Sequence, residues 1–168
     1  EINAPKEIVL ESIRHWKNWE KWSVWLQNDS LNVVRIEGND GEIGSSLFFG
    51  RELPLIKGDR FIYSRMIPNL EHSYRVTSNN SSETVAETYF RVLEKDGVST
   101  ASWGYNRRYR LTDKIANLFS DSRQIIEIDF EKSLIKLKEF CEKEFALKDI
   151  YEVKEGFLDE RFYVIFRR

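Results

Sequence analysis

The chain has 168 residues, 26 of them Lys or Arg and 28 Asp or Glu, for a formal net charge of −2 that offers nucleic acid no basic excess. A mean hydropathy of −0.51, with no apolar run near the ~20 residues of a bilayer span, predicts a soluble globular protein without a membrane span. One cysteine, Cys141, excludes an internal disulfide framework and a multi-cysteine zinc site and favours a reducing, cytoplasmic setting, while 14% aromatic residues exceed what solubility alone requires.

Glu1-Ile-Asn-Ala-Pro5 lacks an initiator Met and a leader pattern, so further residues, a leader or an anchor among the options, are expected upstream. Pro5 suits the first turn of a helix, and Ile8, Val9, Ser12 and Ile13 recur at helical spacing. Trp16, Trp19, Trp22 and Trp25 then follow at every third position, which predicts short or 3₁₀-like helical turns, not a long α-helix, with the rings on one side. That row is expected to cover one end of the core.

From Leu31 to Tyr109, β-rich runs alternate with turn chemistry: Asn39-Asp40-Gly41, Lys57-Gly58-Asp59, Pro68-Asn69, Ser78-Asn79-Asn80-Ser81-Ser82 and Lys95-Asp96-Gly97. The spacing predicts a sequential antiparallel sheet. The clearest hairpin joins Glu83–Leu93 to Val98–Tyr109; with Leu93 opposite Val98, Phe90 faces Ala101, Thr88 faces Trp103 and Ala86 faces Tyr105. That strand face carries no charge, whereas the opposite one, through Glu87 and Arg91, reads as solvated.

After a breaker region from Leu111 to Ser122, a long helix is expected from about Gln124 to Ala146, with Ile126, Phe130, Leu134, Leu137 and Cys141 advancing by 4, 4, 3 and 4 along one stripe. A sheet with one apolar face must cover it, and this helix carries the matching stripe, so the predicted fold is two-layer α+β with the sheet curled around the helix. Tyr151–Arg168 contains a further β-rich stretch, Phe162 to Phe166. Residues 1–146 are therefore expected to form one domain and 147–168 a tail belonging to something longer.

Five short motifs lie in order on this framework: Ile2-Asn-Ala-Pro5, Asn18-Trp-Glu-Lys-Trp-Ser-Val-Trp25, Gly41-Glu-Ile-Gly-Ser45, Ala101-Ser-Trp103, and Asp129-Phe-Glu-Lys-Ser-Leu-Ile-Lys-Leu-Lys138 with Cys141-Glu142. Together they resemble the polyketide cyclase/dehydrase-like branch of the START-like helix-grip superfamily (SRPBCC). The resemblance implies about seven antiparallel strands gripping the C-terminal helix, with a ligand cavity between them. Tyr151–Arg168 resembles the opening of an effector-binding domain of the kind found in transcription regulators, which implies a fused domain after Arg168. The family's N-terminal strand normally begins before Ile-Asn-Ala-Pro, so its lack here would expose a sheet edge.

The expected ligand-lining set is Thr88, Phe90, Trp103 and Tyr105 on the uncharged face, Phe49, Tyr63 and Tyr74 on neighbouring strands, and Phe130 and Leu134 on the helix. The same face serves equally well as plain core, and alternation alone does not choose between the two. His15 and His72 have no partner at metal-ligand spacing, and no cofactor motif is present. Cys141 on the buried stripe reads as a small core residue. Arg107, Arg108 and Arg110 form the one concentrated basic patch, read as a solvated strand end. Asn28-Asp-Ser30, Asn79-Asn-Ser81 and Asn80-Ser-Ser82 match the glycosylation pattern as turn residues.

The leading functional expectation is binding of a small hydrophobic or aromatic ligand between sheet and helix by a non-catalytic sensor or carrier module, since no nucleophile–base pair or metal set is visible. A cyclase- or hydratase-like enzyme using the same cavity, with Tyr63, Tyr74 and Tyr105 as proton-shuttling candidates, is the alternative. The third reading is a protein-interaction domain without a ligand.

Overall fold

The computed structural model describes residues 1–27, 34–53, 58–78, 81–107, 122–150, 152–158 and 161–167. Pro5, at φ −58° and ψ 147°, ends an extended lead-in, and Lys6–Arg14 form helix α1. Helices α2 (Trp16–Trp22) and α3 (Val24–Gln27) follow. Strands β1 (Val34–Glu37), β2 (Ser46–Leu53), β3 (Gly58–Ile67), β4 (Glu71–Ser78), β5 (Ser81–Lys95) and β6 (Val98–Arg107) lead to the long helix α4 (Ser122–Ile150). A hairpin of β7 (Glu152–Leu158) and β8 (Arg161–Arg167) ends the chain.

The six strands β1 to β6 form one antiparallel sheet in sequential order, so the structure is the α+β arrangement expected, with six strands where about seven were expected. The difference lies at the β6 edge. Ile2 exchanges two backbone hydrogen bonds with Ser99, at 2.8 and 2.9 Å, and this single bridge is as far as the N-terminal segment pairs. Ser99 also donates its hydroxyl to Ala4 O, and Glu142 of α4 accepts from Asn3 N, so Ile-Asn-Ala-Pro is tied to both layers.

The β5–β6 hairpin keeps its expected inner face but not its expected register. Lys95 pairs with Val98 across a two-residue turn, Asp96-Gly97, whose φ angles of 54° and 78° match the mirror-image turns that suit strand twist. Phe90 therefore sits opposite Trp103 and Thr88 opposite Tyr105, a slide of two residues from the expected pairing. An even slide leaves every side chain on its original face, which is why the uncharged set survives.

Helix α4 turns Phe130, Leu137 and Cys141 inward and begins and ends a few residues outside its expected bounds. It does not close on the sheet alone, because the tryptophan row lies between the layers. Trp16, Trp19 and Trp22 are fully buried, and Trp19 packs against Phe61, Tyr74, Phe90 and Trp103 at centroid distances of 5.8, 5.4, 5.8 and 6.3 Å. The row is a centre of the core, not an end cap. Each indole N–H has an acceptor: Trp16 donates to Ser45 Oγ, Trp19 to Ile13 O, Trp22 to Ser12 O and Trp25 to Asp129. Such pairing removes the cost of burying a polar N–H among apolar rings.

The Gly41-Glu-Ile-Gly-Ser45 segment explains how α2 is held. Asp40 accepts from the backbone N–H of Trp16 at 2.6 Å and so caps α2 from another part of the chain. Gly41 has φ +84°, and a Cβ there would come within 2.5 Å of the His15 ring. Residues 111–121, Arg108, Arg110, Asn28-Asp-Ser30, Asn79 and Asn80 lie outside the described residues, and Arg107 is placed only as the register partner of Ala86. No helix among the described residues is long and apolar enough to cross a membrane.

Candidate functional site

Of the nine residues expected to line a ligand site, four sit deep in the packed interior. Phe49, Tyr63, Tyr74 and Phe90 are all buried, and Tyr74 donates its hydroxyl to Ile13 O at 2.9 Å. Thr88 is buried as well. It accepts the Trp103 indole N–H at 2.6 Å and donates to Gly104 O at 2.8 Å, which fixes the plane of the Trp103 ring.

Trp103, Phe130 and Leu134 meet at the other side of that ring, where the layers part. Trp103 of β6 lies flat on Phe130 of α4, with centroids 4.0 Å apart and planes 8° from parallel. Tyr105 meets the edge of Phe130 at 6.1 Å. The Trp103–Phe130 stack lies along an open groove of about 440 Å³ between β6 and α4, which Ile2, Ala101, Leu134 and Ile135 also line. Its lining is mainly apolar, and Ile135 is 52% exposed at its side. The volume lies within the ~300–1,000 Å³ usual for small-molecule sites. Glu1, Glu127, Glu131 and Lys138 supply its charges.

A second hollow, a furrow of about 680 Å³, crosses the outer face of the sheet over β3 to β6 and is polar. At its centre Glu71, only 3% exposed, accepts from Arg65 at 2.6 Å, from Arg91 at 2.8 Å and from Ser73 at 3.1 Å. Burial pushes this carboxyl up, and the hydrogen bonds from Arg91, Arg65 and Ser73 outweigh it, leaving the pKa below its ordinary value. The outer face at Arg91 is therefore an ion-paired network. Nothing in the isolated sequence tied Glu71 to these partners, because the link depends on the β4–β5 register, which sets Glu71 opposite Arg91.

The structure also brings together an ionisable pair that sequence patterns did not single out. Tyr63 Oη lies 2.5 Å from His72 Nδ1, with both side chains buried. Burial, with help from the Arg14 charge, lowers the His72 pKa to about 4. Burial raises the Tyr63 pKa to about 12. The contact thus joins a neutral phenol to a neutral imidazole. Neither residue lines the groove or the furrow. Nearby, His15 lies 3.0 Å from Glu11 and 3.6 Å from Asp40. Among the described residues no group of three His, Cys, Asp or Glu side chains is placed to hold a metal ion. Cys141 is buried, and that burial pushes its thiol up to about 11.

No protein-family model matches the chain, and no curated protein matches it. Solved structures do. The Aha1 dimer from Colwellia psychrerythraea is similar at 20% identity over 84% of this chain and 90% of that one, with a TM-score of 0.51. Protein NE0264 from Nitrosomonas europaea is similar at 11% identity over 87% and 92%, with a TM-score of 0.57. Protein SA2116 of unknown function from Staphylococcus aureus gives 10% identity over 87% and 91%, with a TM-score of 0.56. At these identities the likeness establishes the helix-grip-like fold and does not assign a branch or an activity.

Proposed function

We propose that this chain binds a small apolar or aromatic molecule in the groove between β6 and α4, as a sensor or carrier module that does not transform its ligand. The supporting observation is the Trp103–Phe130 stack, which lies along an open, mainly apolar groove while Trp16, Trp19 and Trp22 are wholly enclosed. An open apolar surface costs roughly 25 cal/mol for each Å² left in water, so a flat apolar occupant gains by covering it. The hydrogen bond from Trp103 to Thr88 holds the ring in place beforehand, which lowers the ordering cost of binding. Residues 1–146 would form the binding unit, and 147–168 the start of a further unit whose state the ligand influences.

Saturation-transfer NMR with a neutral probe, 4-phenyl-1-butanol, tests this reading on the full chain. Transfer to the probe is expected, together with its loss in Ala101→Leu, which fills the groove from the β6 side. Absence of transfer from the unaltered protein would refute the proposal, as would transfer unchanged by the filling substitution.

A further inference from the structure

We infer that the occupant of the groove is an elongated aliphatic chain and not an aromatic ring system. This rests on the groove being a ligand site and specifies the class of molecule it takes. What decides the class is which apolar surfaces stay open once the rings have packed on one another.

Trp103 has no free ring face. Phe130 lies on it at 4.0 Å and 8° from parallel, and Phe90 lies on it at 4.4 Å and 30°. Two rings that close to the centre of one indole occupy opposite faces, since on a single face they would overlap. Trp25 meets the same indole at 5.3 Å and a steep 66°, and the indole N–H is taken by Thr88. Phe130 is in turn only 9% exposed, too little for an open face beside its contacts with Trp103, Trp25 and Tyr105. The aromatic side of the groove therefore presents rims. The apolar surface left to a ligand is aliphatic: Ile135 is 52% exposed, and Ala101 and Leu134 are half-buried.

An aromatic ligand exceeds an aliphatic one of equal area by roughly two- to tenfold in affinity where its ring meets another in a favourable arrangement. With the faces of Trp103 and Phe130 already used, that gain is forfeited. Binding then reduces to covering apolar area, about fourfold for each CH₂ fully buried. Shape points the same way. The lining follows α4 from Glu127 to Lys138, a run of roughly 16 Å at ~1.5 Å per residue. An extended chain advances ~1.1–1.2 Å per bond, so a run of that length takes about thirteen bonds. The enclosed Trp16, Trp19 and Trp22 close the interior to such a chain, which leaves it the length of the helix.

Two neutral alcohols with the same head group separate the cases: 1-octanol and 4-phenyl-1-butanol, each titrated into the full chain and followed by ¹H–¹³C NMR at the methyl groups of Leu134 and Ile135. Dividing each affinity by the alcohol's own partition from water into octanol removes plain hydrophobicity. After that correction 1-octanol should bind about threefold tighter or better, with the phenyl alcohol still bound through its butyl chain. Ile135→Ala, at an exposed position on which the core does not depend, should weaken 1-octanol severalfold. A corrected affinity for the phenyl alcohol equal to or above that of 1-octanol, or 1-octanol binding indifferent to Ile135→Ala, would overturn the chain inference and leave the groove reading intact. No response of Leu134 and Ile135 to either alcohol would overturn both.

Discussion

The indole of Trp103 and the phenyl ring of Phe130 lie face to face, 4.0 Å between centroids and 8° from parallel, joining the edge strand of the sheet to the long helix. Trp25 closes on both rings, at 5.3 and 5.6 Å. Phe130→Leu keeps apolar volume but removes the stack. It should destabilise the chain by about 1–2 kcal/mol and weaken probe binding severalfold, as read by urea denaturation and by titration.

Trp19 is the ring on which the sheet and α2 converge, whereas Trp25 is only partly buried and lies nearer the groove. Trp19→Ala should cost about 3–5 kcal/mol, a large fraction of the ~5–15 kcal/mol available to a typical domain. Trp25→Ala should cost clearly less. Denaturant midpoints of the two variants give the ranking, and equal losses would contradict the central place assigned to Trp19.

His72 gives a pH signature with a definite sign. Its pKa in the folded chain is about 4, below the ordinary 6.5, because burial and then Arg14 disfavour the charged ring. Above pH 6.5 the ring is neutral in both states and its contribution is fully present. As pH falls toward 4 the unfolded chain takes up a proton that the folded chain refuses, and stability is lost on the order of 2 kcal/mol. His72→Gln lacks the Tyr63–imidazole contact and should be less stable at pH 7, but its stability should fall less steeply between pH 6.5 and 4. Parallel slopes in that window would count against the assignment.

Gly104 of β6 is covered by the Tyr89 ring, and a Cβ there would approach a ring carbon to 2.2 Å. Gly104→Ala should therefore cost about 1–3 kcal/mol, with much of it recovered in the double variant with Tyr89→Ser. Additive losses in thermal denaturation would show that the ring is not what the methyl group meets.

The parts of this architecture that depend on local pattern were legible in the residues. Alternation placed Ala86, Thr88 and Phe90 on one face with Trp103 and Tyr105, and the stripe through Phe130, Leu137 and Cys141 defined the inner side of α4. The hairpin partners were displaced by two because Asp96-Gly97 closes a tighter turn than the four-residue loop expected. The Tyr63–His72 contact depends on the β3–β4 register, which sets Tyr63 opposite Tyr74, and Asp40 capping α2 spans 24 residues; neither leaves a short-range trace. The division of the aromatic residues was also hidden. Phe49, Tyr63, Tyr74 and Phe90 are enclosed while Trp103 lines the groove, and the tryptophan row packs directly over Tyr74 and Phe90.

The most direct test of ligand binding between β6 and α4 is a ¹H–¹⁵N titration of the five tryptophan indole signals with 4-phenyl-1-butanol. The groove predicts a saturable shift of the Trp103 indole, with Trp16, Trp19 and Trp22 nearly unmoved because they are enclosed. A titration in which Trp103 stays still, or in which the enclosed indoles move instead, would contradict it.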